Sequence, residues 1–260
     1  MTLRHLPLLL LPATSILAED WNQFRGPTAQ GLAGPAPIKW GVEEGVDWKV
    51  PLEGKGWASP LVVGDKIILS GAFGDGEDTK LGLTVLDATS GQTVWSKTFL
   101  QPTPEELGAK HPKNSLASST PVVTDGIIYA HYGHMGTIAV TLEGELKWQA
   151  KHSYEPMHGG ASSPLLVEGR LVFSADGDDQ THLVAFDAGT GKLAWKTPRK
   201  EDVRRTFSFC TPLVVRNQGA TEIISPASGM VGGYDPKDGS LRWKLSYDEG
   251  FSVVPRPVAM

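Results

Sequence analysis

The chain has 260 residues, 40% of them hydrophobic, and a formal net charge of −5, which excludes wholesale disorder. It lacks a basic run, so a nucleic-acid partner is not expected, and no apolar stretch of about 18 residues predicts a transmembrane segment. The 30 glycines and 19 prolines favour many short strands joined by turns over long helices. The single cysteine, Cys210, excludes an intrachain disulfide and a cysteine-based metal site.

Residues 1–18 are predicted to be a signal peptide. A basic start, an apolar run over residues 6–11 and a small-residue stretch ending at Ala18 form the usual three-part pattern. We therefore expect cleavage after Ala18 and export to the periplasm, the cell envelope or the exterior. No cysteine stands directly after the apolar run, so a lipid anchor is not expected. A buried N-terminal strand or helix is the alternative. Residues 19–45 are interpreted as an N-terminal lead-in segment.

The remainder of the chain repeats about every 50 residues, and such repeats are best recognised before any other feature. Residues 185–195 carry the pattern Ala-x-Asp-x-x-Thr-Gly-x-x-x-Trp, and residues 85–95 and 233–243 are similar. A shorter copy without the aspartate ends at Trp148, and Trp48 lies in a related context. The recurring residues predicted to be structural are Trp48, Asp87, Gly91, Trp95, Trp148, Asp187, Gly191, Trp195, Asp235, Gly239 and Trp243.

Each repeat reads as four strands joined by tight turns. A proline opens the first strand, where its missing N–H costs no ladder hydrogen bond. In the last turn, the aspartate can accept hydrogen bonds from backbone N–H groups, and the glycine supplies a positive φ. The predicted fold class is therefore all-β, a β-propeller of four-stranded antiparallel blades. The tryptophan is predicted to pack against the next blade as a large apolar plate, with ligand stacking as the alternative.

The repeat resembles the tryptophan-docking motif of quinoprotein-type propellers. Residues 21–27 are similar to the Trp-x-x-Phe-Arg-Gly-Pro opening of PQQ-binding-like β-propeller repeat proteins, which include BamB-like envelope proteins. Further similar stretches are residues 113–121, 132–136 and 252–258. This resemblance implies a ring of seven or eight blades, of which four to five are present. We expect an incomplete propeller domain over residues 46–260, in which residues 46–50 form the outer strand of a last blade. A closed four-bladed ring is the alternative.

The resemblance also implies what an enzyme of this type would need. Quinoprotein dehydrogenases hold PQQ on the propeller axis with adjacent cysteines, an acidic base and a calcium ion. This chain has one cysteine, and no motif marks the base. The predicted function is therefore a non-catalytic, exported binding or scaffold module of the cell envelope, with a protein or glycan partner and no cofactor. The alternatives are a PQQ- and Ca²⁺-dependent dehydrogenase, or a fragment of one, and a carbohydrate-binding accessory protein.

Polar residues near the starts of the inner strands form the predicted binding site. Loops at equivalent positions of a propeller gather on one rim, and convergent polar groups in a concave mouth favour a ligand site. Solvated loops are the alternative. The six residues are Lys113, Asn114, His158, Arg204, Arg205 and Arg256. Their positive charge predicts an anionic partner.

No metal site is predicted. Residues 176–180 are acidic but lack the spacing of a calcium loop, so a solvated turn is expected. His131, His134, His152 and His158 do not share one face of a helix or strand, so a transition-metal site is not expected.

Overall fold

The computed structural model describes residues 19–108, 110–199, 201–217, 219–248 and 252–259. The predicted signal peptide, residues 1–18, lies outside them. The described chain forms four sheets, each with four antiparallel strands in sequential order, which we number as blades 1 to 4. The prediction of an all-β fold of four-stranded blades is confirmed.

The strand bounds follow the repeat. Blade 1 contains β1 (Leu61–Val63), β2 (Lys66–Phe73), β3 (Lys80–Asp87) and β4 (Thr93–Leu100). Blade 2 contains β5 (Val122–Thr124), β6 (Ile127–His131), β7 (Thr137–Thr141) and β8 (Leu146–Ala150). Blade 3 contains β9 (Leu165–Val167), β10 (Arg170–Asp176), β11 (Thr181–Asp187) and β12 (Leu193–Pro198). Blade 4 contains β13 (Leu213–Asn217), β14 (Ala220–Ala227), β15 (Met230–Tyr234) and β16 (Leu241–Ser246). The described chain also has one short α-helix, α1 (Pro104–Gly108), between blades 1 and 2, and two 3-10 turns at Gly76–Asp78 and Gly133–Met135.

The turn between the third and fourth strands is fixed by the chemistry of the repeat. Asp187 Oδ1 accepts hydrogen bonds from the Thr190 backbone N–H at 3.0 Å and from its hydroxyl at 2.8 Å. Gly191 has a φ of +70°, a backbone conformation that glycine adopts without strain. The turn of blade 1 uses Asp87 and Ser90 in the same way.

Tryptophans of one blade contact the turn of the next blade across each seam, by which we mean the interface between neighbouring blades. The indole N–H of Trp148 donates to the Ala188 carbonyl at 2.8 Å, and a Cβ on Gly191 would lie 2.6 Å from the Trp148 ring. The same contacts recur from Trp48 to Ala88, from Trp95 to Leu142 and from Trp195 to Pro236. Trp243 is 42% exposed and has no such acceptor among the described residues.

Residues 46–50 do not form the strand that the sequence predicts. They run without regular secondary structure, because no strand of the described chain lies beside them to complete a ladder. Trp48 nevertheless occupies the docking position on blade 1, where its indole N–H donates to Ala88 at 3.0 Å. The segment therefore keeps the tryptophan contact of an outer strand without the strand itself.

A chain of hydroxyl groups links the starts of the inner strands, at the residue before each strand-opening proline. The Ser59 N–H donates to the Thr120 hydroxyl at 3.0 Å, and the Thr120 N–H donates to the Ser163 hydroxyl at 2.9 Å. The Ser163 N–H donates to the Thr211 hydroxyl at 2.9 Å. These bonds fix the spacing of all four blades around the axis, and they satisfy buried N–H groups that water does not reach.

The seam between blades 3 and 4 contains a fully buried ion pair. Arg199 Nη2 donates to Asp176 Oδ2 at 2.5 Å, and Arg199 Nη1 donates to the Ser225 hydroxyl of blade 4 at 2.7 Å. Burial raises the pKa of the Asp176 carboxyl, and the neighbouring guanidinium acts in the opposite direction. The solvated turn predicted over residues 176–180 is therefore exposed at Asp178 and Asp179 only, because Asp176 points into the core from the end of β10.

Candidate binding site at the axial rim

Three of the six predicted rim residues share one cleft. Lys113, Asn114 and His158 line a cavity of about 380 Å³. The other residues lining the same cleft are His111, Ala161, Phe209 and Val254. Most of these residues lie on the segments that lead into the inner strands of blades 2, 3 and 4.

Asn114 joins the two loops that form the cleft. Its side-chain amide donates to the His158 carbonyl at 2.9 Å, and its side-chain oxygen accepts from the Ser115 N–H at 2.8 Å. The Ser118 hydroxyl donates to the same oxygen at 2.5 Å. Because these bonds use most of its hydrogen-bonding capacity, Asn114 serves as a framework residue of the site.

Aromatic rings form one wall of the cleft. The His158 ring meets the His111 ring edge-on at 5.0 Å between centroids, and it contacts Phe207 at 5.4 Å. Phe209 is stacked on His158 at 6.1 Å. Lys113 is exposed at the mouth, and within the described chain its ammonium group makes no ion pair. The arrangement combines a rigid aromatic wall with an available cation, which suits a ligand with an apolar and an anionic part.

The three arginines do not join this cleft. Arg204 and Arg205 are exposed on the segment that leads to Phe207, and their side chains make no ion pair within the described residues. Arg256 instead donates to the Phe24 carbonyl at 2.9 Å and lies over the Phe24 ring at 5.8 Å. Burial lowers the pKa of Arg256 to about 10. The structure thus separates Arg256 from the rim, because the lead-in segment draws its side chain away from the cleft.

Two of the histidines outside the cleft, His131 and His134, are buried, whereas His152 is half-buried. His131 is buried, stacks on Phe173 at 4.0 Å between ring centroids and shares a hydrogen bond with the Thr137 hydroxyl at 2.8 Å. Burial lowers the pKa of His131 to about 3. His134 bonds through Nε2 to the Glu106 carbonyl at 3.0 Å. Among the residues that the structure describes, no group of three or more His, Cys, Asp or Glu side chains could hold a metal ion.

The described residues of this cleft do not fit PQQ with calcium. A quinone of this kind needs a cation held by carboxylate or amide oxygens and a base for the substrate proton. The described residues that line the axial cleft include no aspartate or glutamate, and its one amide, Asn114, is engaged with the framework. Cys210 is buried, and burial raises the pKa of its thiol to about 12, so no reactive thiol faces the cleft.

The sequence interpretation missed several residues of the rim. His111 and Phe209 line the cleft, and Phe207 supports its aromatic wall. A signal was present for Phe209, because it stands three residues before the strand-opening proline of blade 4. At the same place, blades 1 and 3 carry Trp57 and Ala161.

Several solved structures are similar to this chain. The chain is similar to a europium-containing methanol dehydrogenase, with 12% identity and a TM-score of 0.65, over 88% of this chain and 49% of that protein. BamB from Moraxella catarrhalis is similar at 16% identity and a TM-score of 0.53, over 80% and 56% of the two chains. Quinohemoprotein alcohol dehydrogenase from Comamonas testosteroni matches at 13% identity and a TM-score of 0.64, over 87% and 41%.

These likenesses establish the fold alone, and this chain spans about half the length of the proteins it matches. No curated protein sequence matches it. Within the described residues, none of the helices has the length and apolar character that crossing a bilayer requires. The sequence profile of the family described as outer membrane protein assembly factor BamB matches residues 40–158 and 83–253, which together cover more than half of the chain. The chain therefore belongs to this family, and its resemblance to PQQ-like β-propeller repeat proteins is confirmed.

Proposed function

We propose that this chain is a non-catalytic, exported β-propeller that acts as a scaffold module and binds a protein partner in the cell envelope. The observation that carries the proposal is the axial cleft, in which His158 and Phe209 form an aromatic wall beside the exposed Lys113. Aromatic side chains, phenylalanine among them, are enriched at protein–protein interfaces. Membership of the BamB family supports a partner in the envelope.

The partner of this rim is expected to be acidic. Lys113, Arg204 and Arg205 are exposed without ion pairs in the described chain, although the protein as a whole has a formal net charge of −5. Uncompensated positive charge on the surface of an acidic protein steers an anionic segment toward it. The affinity should therefore fall as ionic strength rises, since exposed charges are screened within about 10 Å at 0.1 M salt.

A quinone-dependent dehydrogenase is the second candidate, and the likeness to methanol and alcohol dehydrogenases favours it. It predicts that adding PQQ and Ca²⁺ produces the quinone absorbance and dye reduction with an alcohol. The scaffold proposal predicts neither, because the described residues of the axial cleft offer no carboxylate to hold the cation or to take the proton.

Site-specific photo-cross-linking in envelopes of the native host tests the scaffold proposal. A photoreactive residue replaces Lys113 at the rim or, as the matched control, Lys237, an exposed lysine in the outer turn of blade 4. We expect one discrete protein adduct from position 113 and none from position 237. The substitution Phe209→Ser should reduce the adduct at position 113 without a large change in melting temperature.

Two outcomes would overturn the proposal. One is equal cross-linking at the rim and at the control position, which would mean that the rim has no special partner. The other is dye reduction that requires both PQQ and Ca²⁺, which would establish the dehydrogenase. Export is tested separately by the intact mass of the native protein, which should begin at Glu19.

A further inference from the structure

A second and larger cleft lies beside the axial cleft, with Asn114 in the wall of both. Its volume is about 700 Å³, within the range of small-molecule sites. Three segments form most of it: residues 54–57 before β1, the β2–β3 loop at residues 74–79, and the insertion after blade 1 at residues 107–116. Neither the repeat motif nor the proposed partner site accounts for this cleft.

The wall formed by residues 54–57 is held in place by backbone hydrogen bonds. Lys55 pairs with Ala72 through two backbone hydrogen bonds of 2.8 and 2.9 Å, at the far end of β2 where β1 does not reach. A Cβ on Gly56 would lie 2.6 Å from the Ser70 carbonyl, so the close approach requires glycine at this position. The wall therefore has its shape before any ligand binds. Because glycine has no side chain, the backbone of the wall is accessible at its glycines.

Trp57 stands on this wall with 68% of its surface exposed. Its backbone N–H is fixed to the Ala117 carbonyl at 3.0 Å, whereas its indole N–H has no partner in the described chain. The four tryptophans that dock on a neighbouring blade all donate that N–H across a seam. An indole left exposed on a preformed cleft is available to stack on a ligand.

The polar groups of the cleft suit a ligand that carries hydroxyl groups better than a charged ligand. Lys55 and Asp75 neutralise each other at 3.0 Å, which leaves Lys110 as the one uncompensated charge among the described lining residues. The Ser115 hydroxyl accepts from the Ala117 N–H at 3.0 Å and keeps its own proton to donate. The Thr79 hydroxyl donates to the Gly76 carbonyl at 2.8 Å and keeps a lone pair to accept. The lining residues therefore offer both hydrogen-bond donors and acceptors.

We propose that this cleft binds an oligosaccharide. A pyranose ring has an apolar C–H face that stacks on an indole, and each of its hydroxyls both donates and accepts a hydrogen bond. Trp57 would supply the stacking platform, while Lys110, Ser115 and Thr79 would bond the hydroxyl edge. This cleft shares Asn114 with the axial cleft but is otherwise lined by different residues, and sugar binding to it does not depend on the proposed scaffold function.

Calorimetric titration of the whole protein with three probes tests the proposal: the trimer of N-acetylglucosamine, cellotriose and maltotriose. At least one should bind, with a change in tryptophan fluorescence, and Trp57→Ala should weaken that binding tenfold or more. Trp57→Phe, which keeps an aromatic ring, should retain part of the affinity. The matched control is Trp40→Ala, since Trp40 is 76% exposed in the lead-in but does not line the cleft.

Three results would overturn the inference. These are the absence of binding by all three sugars, unchanged binding in Trp57→Ala, and an equal loss in the Trp40→Ala control. A tripeptide with a central tyrosine is titrated in parallel, and its preferential binding would reassign the cleft to a peptide. Cross-linking from position 113 is read independently, so failure here leaves the scaffold proposal standing.

Discussion

The axial rim and the seams between blades are both formed by residues of the repeat. The residue type is constant at the seams, whereas it varies from blade to blade at the rim. At the seams, a tryptophan and the glycine of the next turn recur, as in Trp148 with Gly191 and Trp195 with Gly239. At the rim, the residue three places before the strand-opening proline changes from blade to blade. It is Trp57, Ser118, Ala161 and Phe209 in blades 1 to 4. Constant positions within the chain thus serve packing, and the varied position leaves each blade free to contribute a different group to a cleft.

The strongest test of the seam removes one docking tryptophan. Trp195→Ala should lower the free energy of unfolding by about 3–5 kcal/mol, because it deletes a buried aromatic side chain and leaves a cavity. Urea unfolding followed by circular dichroism measures the change.

Trp243→Ala is the matched control for that experiment. Trp243 is 42% exposed and has no turn to dock on within the described residues, so its loss should cost about 1 kcal/mol. Equal losses in the two variants would show that inter-blade docking does not set the contribution of these tryptophans.

The buried ion pair makes the seam between blades 3 and 4 different from the others. Arg199→Met should destabilise the protein by about 3–5 kcal/mol, because it leaves the Asp176 carboxylate buried without its cation. The double variant Asp176→Leu with Arg199→Met should recover most of this loss, since neither charge then remains buried. The comparison is made by urea unfolding at neutral pH. A double variant no more stable than the single one would contradict this account of the pair.

Acid should weaken the seam between blades 2 and 3. His131 packs neutral against Phe173, and burial lowers its folded pKa to about 3, whereas an unfolded histidine titrates near pH 6.5. Between these two values the unfolded chain binds a proton that the folded chain does not, so stability falls as the pH falls. The expected slope from His131 is about 1.4 kcal/mol per pH unit at pH 4 to 6.

Unfolding curves at several pH values measure that slope. His134, His152 and His182 also have pKa values lowered mainly by burial, so they steepen the wild-type dependence. His131→Phe keeps an aromatic ring against Phe173 and should remove the contribution of His131 alone. An unchanged slope in this variant would contradict the assignment.

The fold was predictable because the same residue types recur where the backbone conformation requires them. These are aspartate and glycine at the turn and proline at the start of the first strand. A hydroxyl residue before that proline also recurs in the sequence, as Ser59, Thr120, Ser163 and Thr211. Its hydrogen bond to the neighbouring blade, however, is seen only in the structure. The pairing of Asp176 with Arg199 joins residues outside the repeat motif, and no local pattern specifies it.

The candidate site was predictable only in part. Lys113, Asn114 and His158 precede inner strands and share the axial cleft, because the ring symmetry brings equivalent loops together. Arg256 follows the same rule in sequence, yet its side chain contacts Phe24 through a bond between residues 232 positions apart. The strand expected over residues 46–50 is absent from the described chain, because strand formation requires a neighbouring edge that a sequence pattern does not reveal.

The smallest effect on stability is expected at the rim. Trp57→Ser gives blade 1 the residue that blade 2 carries at the equivalent position, Ser118. Because Trp57 is 68% exposed and its side chain makes no hydrogen bond in the described chain, stability should change by no more than about 0.5 kcal/mol. The measurement is urea unfolding beside Trp195→Ala in the same buffer. If Trp57→Ser lowered the free energy of unfolding nearly as much as Trp195→Ala, Trp57 would be a packing residue like the tryptophans of the seams. The distinction between constant packing positions and a varied rim position would then not hold for Trp57.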